Sequence, residues 1–439
     1  MSGSRRCVVR GLPPEGKVDT PSVDRDARDV SAKHPRRRFL KTAAAAAVGW
    51  NFQVVPRHVI GGPDHTPPSE TFGAALIGVG GRGPGTFRAL SERHGLEVRK
   101  LAECDVKWVG EADDKTRYTD YRRILEREDI DIVAIATPPH WHAVMSIDAM
   151  EAGKDVLCEK PMTRTIAEGR AVVEAEQRTG RVFQICTYGR FGQQGGRQME
   201  QRKIMLAGMA RDREIRFVRR GGFKVFQWSG PVDVEPREPP PNLDWDMYCG
   251  PSPLKPFIPS RFGGMHRGYW DYDGGGLGDM GQHYLDPITW VFGKDGTSPI
   301  EVEASAPPAH PEVAGPWGWV KLRYEDGFEI VLESDEWGEP TGLSTRGIGR
   351  DDLTDEEKQA LDEMPDPEPL VDFGEAVRTR QRAGGHAEAA HRTVCLLHLA
   401  NLAIRTGRKI RFDPELELAL DDDQANRLVR QPMRAPWHV

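Results

Sequence analysis

The stretch that most constrains this chain is "AALIGVGGRGPGTFRALSERHG", residues 74–95. A continuous apolar run reads as a buried strand, a glycine-rich turn follows, and an amphipathic stretch then reads as a helix stopped by Gly95. Gly78, Gly80 and Gly83 form G-x-G-x-x-G across the turn, with Gly81 and Arg82 between them. The three glycines serve, in order, a tight turn, close approach of a pyrophosphate to backbone, and close packing of helix on strand. The helix N-terminus adds free N–H groups and partial positive charge for phosphates. Pro84 is tolerated because the first helical turn has no intrahelical N–H bond to lose. The next strand, "LEVRKLAECD", ends on Asp105, at the offset where a carboxylate accepts hydrogen bonds from both ribose hydroxyls. That acid repels a 2'-phosphate, so the expected cofactor is NAD, while Lys107 keeps NADP open.

The alternation continues. A helix around "YRRILERED", the strand "DIVAIAT", a helix across "WHAVMSIDAMEA", the strand "DVLCE", a helix across "IAEGRAVVEAEQRTG" and the strand "RVFQIC" predict a doubly wound parallel sheet over residues 71–190. Only a short stretch joins Asp105 to Tyr118, so the crossover after the second strand is expected to be stunted or irregular. Beyond 190, "EIRFVRRGGF", "PIEVEASA", "WGWVKLRYE" and "GFEIVLESD" read as a mostly antiparallel sheet, interrupted by the Pro-rich "PVDVEPREPPPNLDW". The expected fold class is α/β: a Rossmann domain at 71–190 and an α+β domain at 191–415. That second domain carries a polar insertion at 339–370, begun by a Thr354–Glu357 capping box, and a tail follows at 416–439.

A net charge of -7 argues against nucleic acid or a polybasic membrane contact, and no run is apolar and long enough to span a bilayer. The six cysteines, Cys7, Cys104, Cys158, Cys186, Cys249 and Cys395, show no C-x-x-C spacing and read as core filler; no metal site is expected. Within 1–70, "RRRFLKTAAAAAVG" (36–49) resembles a twin-arginine export signal, which implies a periplasmic or otherwise exported protein; a basic linker before a surface helix, and a cytoplasmic protein, is the alternative. Twin-arginine substrates cross folded, often with cofactor in place.

Three further segments carry chemistry. "DGGGLGDMGQHYLD" (273–286) puts Asp279 and His283 four apart, on one helical face. "ATPPHWHA" and "CEKPM" stand at the ends of the fourth and fifth strands, at the edge where open α/β sheets bind ligands. With the glycine loop, these motifs resemble the Gfo/Idh/MocA family of glucose-fructose oxidoreductases, inositol dehydrogenases and rhizopine catabolism proteins, over roughly residues 72–412. The resemblance implies a Rossmann domain beside an open-faced sheet domain, a sugar or cyclitol held between them over the nicotinamide, and dimers or tetramers. It assigns Thr137, Pro138 and His142 to the cofactor lining, Glu159, Lys160 and Pro161 to the E-K-P motif, and Asp279 and His283 to the acid and imidazole of the second domain. Pro139 stands where the family often has Asn, which puts one cofactor contact in question.

Oxidising a secondary alcohol requires a base at the hydroxyl. We expect His283 to accept the proton, Lys160 to polarise or relay, and Asp279 to orient the imidazole or a sugar hydroxyl. The glycines before that helix read as room for cofactor and sugar, and Pro287 leaves the His283 carbonyl without its helical partner, free to face the site or water. Tyr269, Trp270 and Tyr272 are candidate sugar-stacking residues with core packing as the alternative, and Tyr188 and Arg190 are further substrate candidates. Three functions compete: an NAD-dependent dehydrogenase of a sugar, glycoside or cyclitol; a redox-neutral NAD-dependent glycoside hydrolase; and a non-catalytic sugar-binding protein, against which Lys160, Asp279 and His283 speak.

Overall fold

The computed structural model describes residues 71–224 and 235–439; the 36–49 signal reading, Cys7 and the opening of the Pro-rich stretch lie outside them. The first sheet contains β1 (Thr71–Ile77), β2 (Glu97–Cys104), β3 (Arg117–Tyr118), β4 (Ile132–Ile135), β5 (Asp155–Cys158) and β6 (Phe183–Ile185), in the order β3-β2-β1-β4-β5-β6. Every pairing is parallel. Its central strands are buried on both faces, which is why β1, β4 and β5 read as unbroken apolar runs. Between β2 and β3 the chain makes turns in place of a crossover helix, as the short Asp105–Tyr118 connection led one to expect. The helix Ile166–Thr179 begins where the Thr165 side chain accepts from the Glu168 N–H and ends at Gly180 in the left-handed region.

The second sheet runs β12-β11-β8-β9-β10-β7, built from β7 (Arg216–Arg220), β8 (Glu301–Ser305), β9 (Trp319–Arg323), β10 (Glu329–Glu333), β11 (Ile410–Asp413) and β12 (Leu418–Ala419). All its pairings are antiparallel except β10 with β7. Val302, Val320, Leu322, Ile330 and Leu332 form its buried face, against which the long helix Ala387–Thr406 packs. That helix also meets Ile166–Thr179 and Gly275–Val291, so it joins the two sheets. Phe373, Ala376 and Val377 pack with Leu76, Leu90 and Ile132 on the other side of the first sheet. In the insertion, Thr354 and Glu357 make both halves of the capping box of helix Asp355–Glu363.

The chain returns to the first domain at its end. Arg434 donates to the Gly250 carbonyl and pairs with Asp246, and the Trp437 ring meets Trp141 edge-on at 4.7 Å. The five cysteines among the described residues are free and buried, and no described helix is long and apolar enough to cross a membrane.

One candidate substrate residue belongs to the core. Arg190 is fully buried, donates to both Asp286 carboxylate oxygens at 2.5 and 3.0 Å, and reaches Asp295 at 3.3 Å and the Gly384 carbonyl at 3.0 Å. Its five donors are spent on protein acceptors, so it has no role at a substrate. Removing it strands the buried Asp286 charge; we expect Arg190→Ala to lose about 3–5 kcal/mol of stability in urea unfolding, with NAD affinity of the folded fraction unchanged.

Candidate active site

A cavity of about 600 Å³ opens over the carboxyl ends of β1, β2, β4 and β5, and its opposite wall is the loop Gly263–Gly268 with the helix Gly275–Val291. It lies where the strand order reverses between β1 and β4, the place where doubly wound sheets bind ligands. Gly78, Gly80, Gly81, Arg82, Asp105, Thr137, Pro138, Glu159, Lys160, Asp279 and His283 all line it.

On the sheet side, Gly78 has φ +89°, and a Cβ on Gly83 would come within 2.1 Å of the Gly78 carbonyl oxygen, so helix and strand close on each other only as glycines. Gly80 and Gly81 face open space, where a pyrophosphate has room to meet backbone. Asp105 Oδ2 accepts from the Val79 N–H at 3.0 Å and Oδ1 from the Lys107 N–H at 3.1 Å. The carboxylate therefore first fastens the glycine loop; with about four acceptor sites it keeps capacity for ribose hydroxyls. Lys107 Nζ stands 3.8 Å from Asp105 Oδ2. Glu159, nearly buried, accepts from Arg82 Nε at 2.9 Å and Thr86 Oγ1 at 2.7 Å, tying the E-K-P motif to the same loop. These features fit a dinucleotide, which the glycine loop and Asp105 would hold.

Three assignments change. His142 is buried away from the cavity, its ring between the carbonyls of Thr137 (2.8 Å) and Pro161 (2.7 Å), so it bridges two lining loops without touching the space they enclose. Burial lowers its pKa, against the pull of those two carbonyls for protons on both nitrogens. The glycines near Asp279 serve packing within the protein: a Cβ on Gly276 would strike the Phe223 carbonyl, and one on Gly281 would strike Leu397. The His283 carbonyl lies beside Gly189, turned toward protein.

The four aromatic candidates also move out of the site. The Tyr269 hydroxyl is bonded to Ser260 at 2.6 Å, Trp270 Nε1 donates to the His310 carbonyl with Arg405 over its ring, and Tyr272 packs on His140 and Tyr248. Tyr188 lies under the Arg93 guanidinium at 3.9 Å, against the core of the first domain. None of the four lines the cavity.

At the reactive end, Lys160 Nζ donates to the Asp279 carbonyl and, at 3.0 Å, to Asp279 Oδ1. The same carboxylate oxygen accepts from Arg267 Nε at 2.8 Å. Burial opposes the Asp279 charge, but Lys160 and Arg267 outweigh it and hold the carboxyl below its ordinary value. Asp279 thus grips Lys160 and Arg267; of the two roles sequence offered it, orienting the imidazole or a sugar hydroxyl, the first is replaced by these contacts. Burial, then the Lys160 cation, push the His283 pKa down to about 4, so the ring is neutral at pH 7. Arg267, His266, Tyr248 and Trp141 also line the cavity and were not foreseen. The glycine-flanked "GGMHRG" was the available signal for the first two.

Elsewhere, His391, Cys395 and Glu417 place ligand atoms within 4.8 Å of one another. Their carboxylate is already taken by His391 at 2.7 Å, Arg170 at 2.7 Å and Arg392 at 3.2 Å, and two guanidinium groups repel a cation there.

Residues 72–187 match the oxidoreductase family, NAD-binding Rossmann fold, and residues 199–439 match the oxidoreductase family, C-terminal alpha/beta domain. A glycosyl hydrolase family 109 protein of Shewanella pealeana is 32% identical over 183 residues, 35% of this chain and 40% of the relative. An alpha-N-acetylgalactosaminidase of Shewanella oneidensis is 31% identical over 186 residues, with the same coverage. The chain thus spans about two fifths of the length of these curated relatives. Among solved structures, the WlbA dehydrogenase of Bordetella pertussis, in complex with NADH and UDP-GlcNAcA, aligns with TM-score 0.50 at 17% identity, covering 78% of this chain and 99% of that one.

Because Asp105 holds the glycine loop and faces the cleft, Asp105→Ala is expected to weaken NADH binding at least tenfold, about 1.4 kcal/mol, in a fluorescence titration. Unchanged affinity would place the adenosine ribose elsewhere.

Proposed function

Because this chain belongs to the Gfo/Idh/MocA oxidoreductase family, with its NAD-binding Rossmann fold and C-terminal alpha/beta domain, we propose that it oxidises a secondary alcohol of a sugar, glycoside or cyclitol. The observation that carries this reading is the convergence of Lys160, from the end of β5, with Asp279 and His283, from the helix Gly275–Val291, on the cavity that holds the glycine loop. NAD, which the glycine loop and Asp105 would hold, would supply the acceptor for the hydride of the carbinol carbon. The protein's own groups handle the proton and the charge. His283, neutral at pH 7, accepts the hydroxyl proton. Lys160, paired with Asp279, donates a hydrogen bond to the same oxygen and stabilises the negative charge that develops on it. Arg267 fixes Asp279 from the other side.

A second reading is favoured by the similarity to a family 109 glycosyl hydrolase and to an alpha-N-acetylgalactosaminidase. In it the same oxidation acidifies a neighbouring C–H, the aglycone is eliminated, water adds and the ketone is reduced again, with no net redox change. One assay separates the readings: purified protein, scored for recovered nicotinamide, is given a panel of free sugars and chromogenic glycosides without added cofactor and again with NAD. Aglycone release without net NADH supports the hydrolase, net NADH supports the dehydrogenase, and neither with any sugar overturns both.

With an active substrate, Lys160→Ala is expected to lower kcat about 10²- to 10⁴-fold; full turnover would remove Lys160 from the chemistry. With the neighbouring Asp273 carboxyl, which burial lifts to about 7, replaced by Asn, the base is already neutral well below pH 7, so kcat/KM should stay flat as pH falls through 6 and decline only toward about 4. An acid limb near 6.5 would exclude His283 in its observed surroundings.

A further inference from the structure

The chemistry above leaves one buried acid of the cleft unused. Asp273 stands just before the helix Gly275–Val291, 4% exposed, with Oδ1 accepting from the Gly274 N–H at 2.6 Å and lying against Gly278. Among the described residues it alone lines both the 600 Å³ cleft and a second cavity of about 20 Å³ behind it. That small cavity is walled by Arg164, His398 and Asn401, with half-exposed Arg405, Leu428 and Gln431 at its outer rim. Its volume suits one water molecule, and Arg164, which lines it, has a buried Nε with no hydrogen-bond partner in the protein.

The charges around Asp273 divide by side. Asp279, Lys160 and Arg267 stand toward the cleft, with His266 and His283 further along its wall; Arg164, His398 and Arg405 stand behind. Burial, opposed by the Gly274 N–H and reinforced by Asp279, lifts the Asp273 carboxyl to about 7. His266 and His283, both lowered to about 4, are already neutral there, as is His398, lowered to about 3.

We propose that Asp273 is the proton outlet of the cleft, taking a proton from its carboxylate's cleft side and releasing it to water in the cavity behind. This rests on the reading that an alcohol is oxidised with NAD. That reaction converts a secondary alcohol and NAD into a ketone, NADH and one proton. The hydride carries both electrons, and the hydroxyl proton passes to His283, through cleft solvent to the Asp273 carboxylate, and from the resulting acid to the rear water. In a redox-neutral cycle the proton is needed again, and the same path runs inward.

The test needs no sugar. A cationic nicotinamide entering the cleft favours the ionised carboxyl. The full-length apoprotein, titrated with NAD at pH 7 by calorimetry in two buffers of different ionisation enthalpy, should release up to about half a proton per NAD, the fraction a group of pKa about 7 holds at that pH. Asp273→Asn should release almost none, and an unchanged release overturns the proposal. Leu428→Trp, which fills the rear cavity from its rim, should keep the NAD affinity and the proton number. In stopped flow with a pH indicator it should delay proton appearance several-fold after mixing with NAD. An undelayed release in that variant removes the rear path even where Asp273→Asn fails to fold. Failure of the oxidation reading would show separately, as intact proton release with no NADH from any sugar.

Discussion

The pairing of Lys160 with Asp279 is the contact on which the arrangement turns. It joins a loop at the end of a Rossmann strand to a helix that belongs to the second sheet's half of the molecule, and both partners are mostly withdrawn from water, at 13% and 20% side-chain exposure. Charges at that depth are tolerable only together. Beside them Gln282 works as a second fastener, its Oε1 accepting from the Met162 N–H and its Nε2 donating to the Ala390 carbonyl. The two walls of the cleft are therefore held in one register by polar contacts, and the imidazole one turn along from Asp279 inherits its position from them. The low basicity of that imidazole comes first from its burial and then from the same ammonium, which discourages a proton on the ring.

Much of the fold was legible because the parallel sheet states its burial on both faces in an unbroken apolar run. The central strands β1, β4 and β5 stand where their apolar runs put them, helix Ile166–Thr179 stops at Gly180, and helix Asp355–Glu363 begins at its Thr354 capping box. What was not legible is short or non-local. The two-residue strands β3 and β12 have no period to read, and the parallel seating of β7 on β10 joins segments more than a hundred residues apart. Nothing in either segment alone names its partner.

The site divides in the same way. Glycines, Asp105 and the E-K-P residues announced themselves because backbone geometry and strand ends dictate where they point. The aromatic residues and Arg190 did not, since residue type says what a side chain can touch and not which way it faces. Tyr269 and Tyr272 turned inward with Tyr248 and Trp245 to make a small core behind the cleft. Arg190 found Asp286 across nearly a hundred residues of chain. Conversely, Arg267 reached the cavity from a loop whose glycines and histidine gave little pattern, and its importance became visible only when its Nε was seen on the carboxylate that also holds Lys160.

The last residues of the chain bear on the cofactor cleft. Trp437 leans on Trp141, a ring that walls the cofactor cleft and donates its indole N–H to the carbonyls of Met247 and Tyr248, while Arg434 anchors the segment between them. Trp437 does not line the cleft itself but backs the ring that does. A shift of the Trp437 ring would therefore be felt in the cleft through a single intervening indole, so that wall is only as rigid as the segment backing it.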